Sequence, residues 1–176
     1  MKSALVIGGG SHLGKRIVNK FVTSNPIWKV FNVDNKKNEE ASDNFLFDSD
    51  FTKLYSPDLR RNINGKFDCI INATSSCSKS ELNNDRVVEY LHKTNNKDMN
   101  SSILAAFLAK KYLNESGLLV LMGSENYKLK TNSNFIVDNI TKESVNYFTE
   151  LLVNNPSELP EDTKLITLMM YFFNFF

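Results

Sequence analysis

The sequence predicts a doubly wound α/β fold with a mainly parallel sheet and helices on both faces. Strand and helix signals alternate along the chain, and consecutive glycines join the first apolar run to a segment with helical spacing. This alternation is typical of βαβ units. We expect one domain over residues 1–176, a length sufficient for a single hydrophobic core.

Six short apolar runs have strand character. Leu118–Met122 is a continuous apolar run, which is typical of a sheet covered on both faces, and Gly65-Lys66 introduces the run before it. The predicted strands cover residues 5–8, 28–33, 45–47, 67–72, 118–122 and 164–169.

Apolar residues at helical spacing predict the connections between these strands. We expect Asn25-Pro26 to break the first helix, Pro57 to limit the second and Gly117 to stop the third, which forms one long or two abutting helices. The predicted helices cover residues 13–22, 51–63, 87–113 and 136–153, and residues 35–44 and 74–84 are expected loops.

Composition narrows the class of partner. The formal net charge is +1 and the basic residues are scattered, so the sequence gives no support for a nucleic-acid or membrane partner. Of two cysteines, Cys69 lies in an apolar run and Cys77 in a serine-rich loop, which favours two reduced thiols over a redox pair. We expect a cytoplasmic protein, and no metal site is predicted.

The first strand runs into Gly8-Gly9-Gly10, and helical spacing begins at Leu13. A helix N-terminus has free backbone N–H groups and a partial positive charge, and a glycine turn lets a pyrophosphate approach both. The turn therefore predicts a dinucleotide site, whose candidate residues are Gly8, Gly9, Ser11, His12, Leu13 and Gly14.

Asp34 ends the second predicted strand, 20 residues after Gly14. At this position a carboxylate accepts hydrogen bonds from the ribose hydroxyls of NADH and repels the 2′-phosphate of NADPH. Lys36 and Lys37 weaken this preference, since their charges favour a phosphate. The alternative is a glycine turn and an exposed aspartate without a ligand. If the turn binds a nucleotide, residues 1–176 form a Rossmann-type NAD(P)-binding domain.

Another strand end, Asn72-Ala73-Thr74, has small residues that suit close approach of a cofactor. Ligands of open parallel sheets lie at the carboxyl edge, so Asn72 and Ala73 are candidate cofactor contacts. An ordinary exit from strand to loop explains these residues equally well.

The sequence resembles the dihydropteridine reductases of the short-chain dehydrogenase/reductase superfamily. The resemblance covers roughly residues 1–153, and it rests on Val-Ile-Gly-Gly-x-x-x-Leu-Gly from Val6, on Trp28–Asp34 and on the Asn-Glu-Glu-Ala-Ser string at 38–42, its most specific part. It implies reduction of quinonoid dihydropterin by NADH and a homodimer formed through helices. Gly9 and Gly14 match the dinucleotide turn, and His12 stands at the middle glycine.

The superfamily's catalytic pattern, Tyr-x-x-x-Lys after the fifth strand, matches Lys142 and places Asp138 at the tyrosine position. In the family the lysine holds the ribose and lowers the pKa of the tyrosine. Asp138 lies one helical turn from Lys142, so an ion pair between them is the structural alternative. Ser124 falls where the family often has its catalytic serine, and Thr74 replaces the glycine of Asn-Ala-Gly.

Three functional hypotheses follow. The chain is an NADH-dependent reductase, or a nucleotide-binding pseudoenzyme of the same fold, or a fragment that neither binds nucleotide nor folds well alone. The family continues beyond the sixth strand, whereas this sequence ends in an aromatic run from Met169 to Phe176. We expect the C-terminal part of the fold to be missing, with a membrane or partner tail as the rival explanation.

Overall fold

Six parallel strands form the sheet of the computed structural model, which describes residues 1–47, 50–51, 57–74, 85–124 and 136–170. The strands are β1 (Ser3–Ile7), β2 (Lys29–Asp34), β3 (Asp43–Leu46), β4 (Phe67–Asn72), β5 (Leu113–Ser124) and β6 (Lys164–Met170). Their order in space is β3-β2-β1-β4-β5-β6, with every neighbouring pair parallel. This order confirms the predicted doubly wound sheet.

Helices connect the strands on both faces. They are α1 (His12–Val22), α2 (Pro57–Asn62), α3 (Val87–Asn95), α4 (Ser101–Tyr112) and α5 (Ile136–Asn154), and a π-helical turn (Asn96–Asn100) joins α3 to α4. The sequence left open one long helix or two abutting helices here, and the structure has two helices that are continuous through this turn. Among the described residues, no helix combines the length and apolar character needed to cross a bilayer.

Alternate residues of β1 face two separate hydrophobic clusters. Ala4 and Val6 pack with Val18 of α1 on one face, and Leu5 and Ile7 pack with residues of α4 and α5 on the other. Strand residues point alternately to the two faces, so one short apolar run supplies both halves of the core.

Cys69 belongs to the cluster beneath α1 and is 1% exposed, which confirms its reading as a small buried residue. Burial, with a smaller contribution from Asp68, raises the pKa of its thiol to about 12. The thiol therefore stays protonated at neutral pH, which makes it a poor nucleophile. Cys77 lies outside the described residues.

The predicted role of Gly117 as a helix stop is wrong. Helix α4 ends at Tyr112, and Leu113 already pairs with Phe67 of β4. The next pair joins Leu118 to Cys69, so residues 114–117 bulge out of the ladder. A Cβ atom at Gly117 would lie 2.7 Å from the carbonyl oxygen of Asn114, so the bulge leaves no space for a side chain at this position.

The bounds of the second helix and of the third strand also differ from the prediction. The described part of the second helix is Pro57–Asn62, and residue 51, where the predicted helix begins, lies in a turn. Strand β3 covers Asp43–Leu46 rather than 45–47, because it pairs with β2 from Phe31 onward. Residues 52–56 lie outside the described part of the chain.

We predict that Gly14→Ala destabilises the fold. A Cβ atom at Gly14 would overlap the carbonyl oxygen of Gly8 and lie 2.6 Å from Cα of Gly9, so α1 would have to move off the turn. We expect the free energy of unfolding to fall by about 1–3 kcal/mol, measured by urea titration. Lys15→Ala, at the next and exposed position of α1, is the control and should leave it nearly unchanged. Equal stability of both variants would contradict the predicted packing.

Candidate functional site

The turn between β1 and α1 brings a helix N-terminus to the carboxyl edge of the sheet. Gly8 has a φ angle of 83°, a left-handed conformation that favours glycine. Ser11 is the N-cap of α1, and its Oγ accepts a hydrogen bond from the backbone N–H of Gly14 at 3.0 Å. His12, the first residue of the helix, is exposed, and Leu13 is half-buried. This arrangement suits a phosphate group.

Asp34 lies beside this turn and binds it directly. Its Oδ2 accepts a hydrogen bond from the backbone N–H of Gly10 at 2.7 Å. Its Oδ1 accepts from the N–H of Asn35 at 2.6 Å and of Lys36 at 3.3 Å. The carboxylate is therefore fixed in place by the backbone before any ligand binds.

The glycine turn and the carboxylate of Asp34 line a cleft of about 300 Å³. It brings the predicted residues Gly8, Ser11 and Asp34 together. Of the two lysines after Asp34, Lys36 lines the cleft, whereas Lys37 Nζ lies 2.8 Å from Glu39 Oε2. The complete lining is Gly8, Ser11, Asp34, Asn35, Lys36, Phe47, Phe51, Thr74 and Lys97.

Asn72 and Ala73, both predicted to contact the cofactor, have buried side chains and do not line this cleft. The Asn72 amide nitrogen donates to Oγ of Ser101 at 2.8 Å and of Ser102 at 3.0 Å. Asn72 therefore ties β4 to α4. Ala73 instead continues the backbone hydrogen bonding to β1, through its N–H and the carbonyl of Ile7.

Thr74 and Lys97 line the cleft but are not among the predicted contacts. Thr74 Oγ1 lies 2.7 Å from the carbonyl oxygen of Lys97, which also accepts a hydrogen bond from Ser101 Oγ. These hydroxyls hold the π-helical turn against the end of β4. The sequence could have indicated Thr74 as a cleft residue, because it follows a predicted strand end. Lys97 lies in a polar stretch without a distinctive pattern, so no sequence signal indicates it.

A buried ion pair lies where α5 meets the π-helical turn. Lys142 Nζ is 2.8 Å from Oδ1 of Asp98, and the two side chains are 2% and 0% exposed. Thr141 Oγ1 lies 3.1 Å from Oδ2 of Asp98. In the sequence analysis, the structural alternative is an ion pair between Lys142 and Asp138, one helical turn away. The ion pair described here joins Lys142 to Asp98, 44 positions earlier in the chain.

Asp138, at the position of the family's tyrosine, is 3% exposed. Its carbonyl oxygen lies 3.1 Å from Thr141 Oγ1, so Thr141 sits between the backbone of residue 138 and the carboxylate of Asp98. Ser124 ends β5 and pairs with Met170 through the backbone. The described part of this region thus holds a buried lysine and two buried carboxylates.

No family model matches the chain. A dihydropteridine reductase of Dictyostelium discoideum is 26% identical to it over 161 residues, which is 90% of this chain and 68% of that protein. The similarity agrees with the resemblance seen in the sequence.

Solved structures show the same fold. A variant of a short-chain dehydrogenase/reductase from Serratia marcescens matches with a TM-score of 0.78 and 17% identity, over 96% of this chain and 77% of that one. A short-chain dehydrogenase of Burkholderia cenocepacia J2315, solved in complex with NADP, matches with a TM-score of 0.77 and 19% identity, over 96% and 73%. The chain therefore has the short-chain dehydrogenase/reductase fold.

We predict that Asp98→Ala strongly destabilises the protein, because it removes the carboxylate that pairs with the buried Lys142 ammonium. We expect a loss of about 3–5 kcal/mol in the free energy of unfolding, measured by urea titration. The double variant Asp98→Leu with Lys142→Met should regain most of this loss, since it removes both charges. A single variant within about 1 kcal/mol of the wild type, a difference typical of exposed pairs, would contradict the burial of this pair.

Proposed function

We propose that the chain is an NADH-dependent reductase of the dihydropteridine reductase type, which transfers hydride to a quinonoid dihydropterin. The observation that carries the proposal is the cleft in which Gly8, Ser11 and Asp34 meet. A helix N-terminus, a glycine turn and a strand-end carboxylate are the parts that recognise the pyrophosphate and ribose of a dinucleotide. When bound, the nicotinamide supplies the hydride, and a water molecule or the substrate supplies the accompanying proton.

Asp34 has room for a ribose hydroxyl. A carboxylate offers about four acceptor positions, and three backbone N–H groups donate to this one. Oδ2 receives one of these bonds, from Gly10, so this oxygen is the proposed acceptor for the ribose. The same negative charge opposes a 2′-phosphate, which favours NADH, although Lys36 in the cleft reduces the difference.

The proposed substrate rests on similarity. The pterin comes from the resemblance at residues 38–42 and from the 26% identity to the Dictyostelium protein. Support for a pyridine nucleotide is broader, because structures of the same fold include complexes with NADP and NADPH. Lys142 and Ser124 are the proposed catalytic groups, with Asp138 in place of the usual tyrosine.

A second candidate function is nucleotide binding without catalysis. The Lys142–Asp98 ion pair favours it, because an ammonium paired with a buried carboxylate has less charge to offer a ribose or a proton donor. Asp138 favours it as well, because a buried carboxyl group stands where the resemblance places the catalytic tyrosine. Binding and turnover therefore need separate measurements.

The proposal also includes a homodimer formed through helices. Helix α5 exposes Ile140, Tyr147 and Leu151, which are spaced to lie on one face, and Ile103 of α4 is 45% exposed. Apolar side chains exposed in this way are typical of an interface. Light scattering after size exclusion should give twice the mass of one chain, and the mass of one chain would refute this part.

We predict that Asp34→Asn shifts coenzyme preference toward NADPH. The variant keeps the shape of the side chain but loses the charge that repels a 2′-phosphate, while Lys36 stays in the cleft. We expect the ratio of the Kd for NADPH to the Kd for NADH to fall about tenfold, measured by calorimetry. Asp43→Asn, the same change at an exposed position outside the cleft, should leave the ratio unchanged.

We predict that the wild type binds NADH and that Asp138→Tyr raises its turnover with quinonoid dihydropterin. At 100 times its Kd, NADH should add about 2.7 kcal/mol to the free energy of unfolding. Turnover is measured as loss of NADH absorbance. Binding without turnover in the wild type would reject the reductase in favour of the pseudoenzyme, and an active Asp138→Tyr variant would then show that the rest of the site is intact. A wild type without binding would reject both.

A further inference from the structure

Asn38, which begins the most specific string of the family resemblance, does not line the cleft. Its side chain is 3% exposed, and its amide nitrogen donates a hydrogen bond of 2.8 Å to the carbonyl oxygen of Gly9. Its amide oxygen accepts from the N–H of Glu40 at 2.9 Å. The two contacts fix which end of the amide faces the glycine turn.

A second asparagine, Asn44 at the start of β3, holds Asn38 in place. Asn44 Oδ1 accepts the backbone N–H of Asn38 at 2.8 Å, and Asn44 Nδ2 donates to the carbonyl oxygen of Asn38 at 3.1 Å. Both backbone polar groups of Asn38 are thus bound by one neighbouring side chain. This arrangement restricts Asn38 to a single position behind the turn.

A third asparagine, Asn32 of β2, completes the cluster. It is fully buried, and its Nδ2 donates to Oδ1 of Asn44 at 2.8 Å and to the carbonyl oxygen of Lys36 at 3.1 Å. A Cβ atom at Gly9 would overlap Asn32 Oδ1, so glycine is required here by the asparagine. We call this cluster the asparagine clamp; it consists of Asn32, Asn38 and Asn44.

The clamp and Asp34 hold the two ends of the same peptide group. The carbonyl of Gly9 accepts from Asn38, and the N–H of Gly10 donates to Asp34 Oδ2 at 2.7 Å. Because Asn38 is buried outside the cleft, the carbonyl dipole that it binds is turned away from the expected position of the pyrophosphate. A flip of this peptide would turn the carbonyl oxygen of Gly9 toward the Asp34 carboxylate, which lines the cleft.

We infer that Asn38 is a positioning residue for the coenzyme, which fixes the Gly9–Gly10 peptide in the orientation that accepts a dinucleotide pyrophosphate. The inference rests on the proposed nucleotide function and assigns a further residue to it. Asn38 acts through the turn and does not touch the coenzyme. Supporting groups that fix the orientation of binding groups commonly change affinity without contacting the ligand.

The test compares Asn38→Asp with Asn19→Asp, the same chemical change at an exposed position of α1. Asn38→Asp replaces the donor to Gly9 with a carboxylate oxygen, which repels the carbonyl and favours the flipped peptide. We expect its Kd for NADH to rise about tenfold or more, with no change in Asn19→Asp. Calorimetry is carried out at low temperature, and urea titration in parallel confirms that the titrated protein is folded.

Asn38→Ala provides a second measurement if Asn38→Asp does not fold, because it removes the donor without adding a repulsive charge. We expect a smaller rise in Kd, of about threefold to tenfold. An unchanged Kd in the folded variant, accompanied only by lower stability, would overturn the inference and leave Asn38 a structural residue. A wild type without affinity for NADH would instead reject the proposed function, and the inference with it.

Discussion

The close packing of α1 against the glycine turn is the contact on which the rest of the site depends. The backbone at Gly14 approaches Gly8 so closely that no side chain fits between them. This approach places the N-terminus of α1 directly after β1, near the middle of a sheet in the order β3-β2-β1-β4-β5-β6. The strand order reverses there, and open parallel sheets bind their ligands at this point.

Side chains from the neighbouring strand then determine the shape of the turn. Asp34 binds the N–H of Gly10 and Asn38 binds the carbonyl of Gly9, so the end of β2 and the segment after it hold one peptide group from both ends. Such preorganisation lowers the entropy that a ligand must remove when it binds. The cleft is therefore built by contacts between segments as much as by the glycines themselves.

The region around Lys142 differs from the cleft because its charged side chains are buried. Its ammonium is buried against Asp98, and the hydroxyl of Thr141 lies beside the same carboxylate. Buried pairs of this kind are costly to break and contribute little to net stability compared with apolar residues. Features expected of coenzyme binding are thus assembled near β1 and β2, while Lys142, the lysine expected in the catalytic pattern, is paired with Asp98 in the interior.

Local pattern alone determined the fold class and the candidate nucleotide turn, because alternating periodicity, glycine turns and strand-end residues are properties of short segments. Asp34 could be assigned in this way from its position at a strand end. Only the tertiary structure decided that Asn72 faces α4, that Lys97 lines the cleft and that Lys142 pairs with Asp98, 44 residues earlier in the chain. The spacing of residues within one helix favours Asp138 as the partner of Lys142, whereas packing of the π-helical turn against α5 brings a distant carboxylate within 2.8 Å of it. Contacts between segments distant in sequence depend on how the helices pack, and no periodicity in one sequence encodes them.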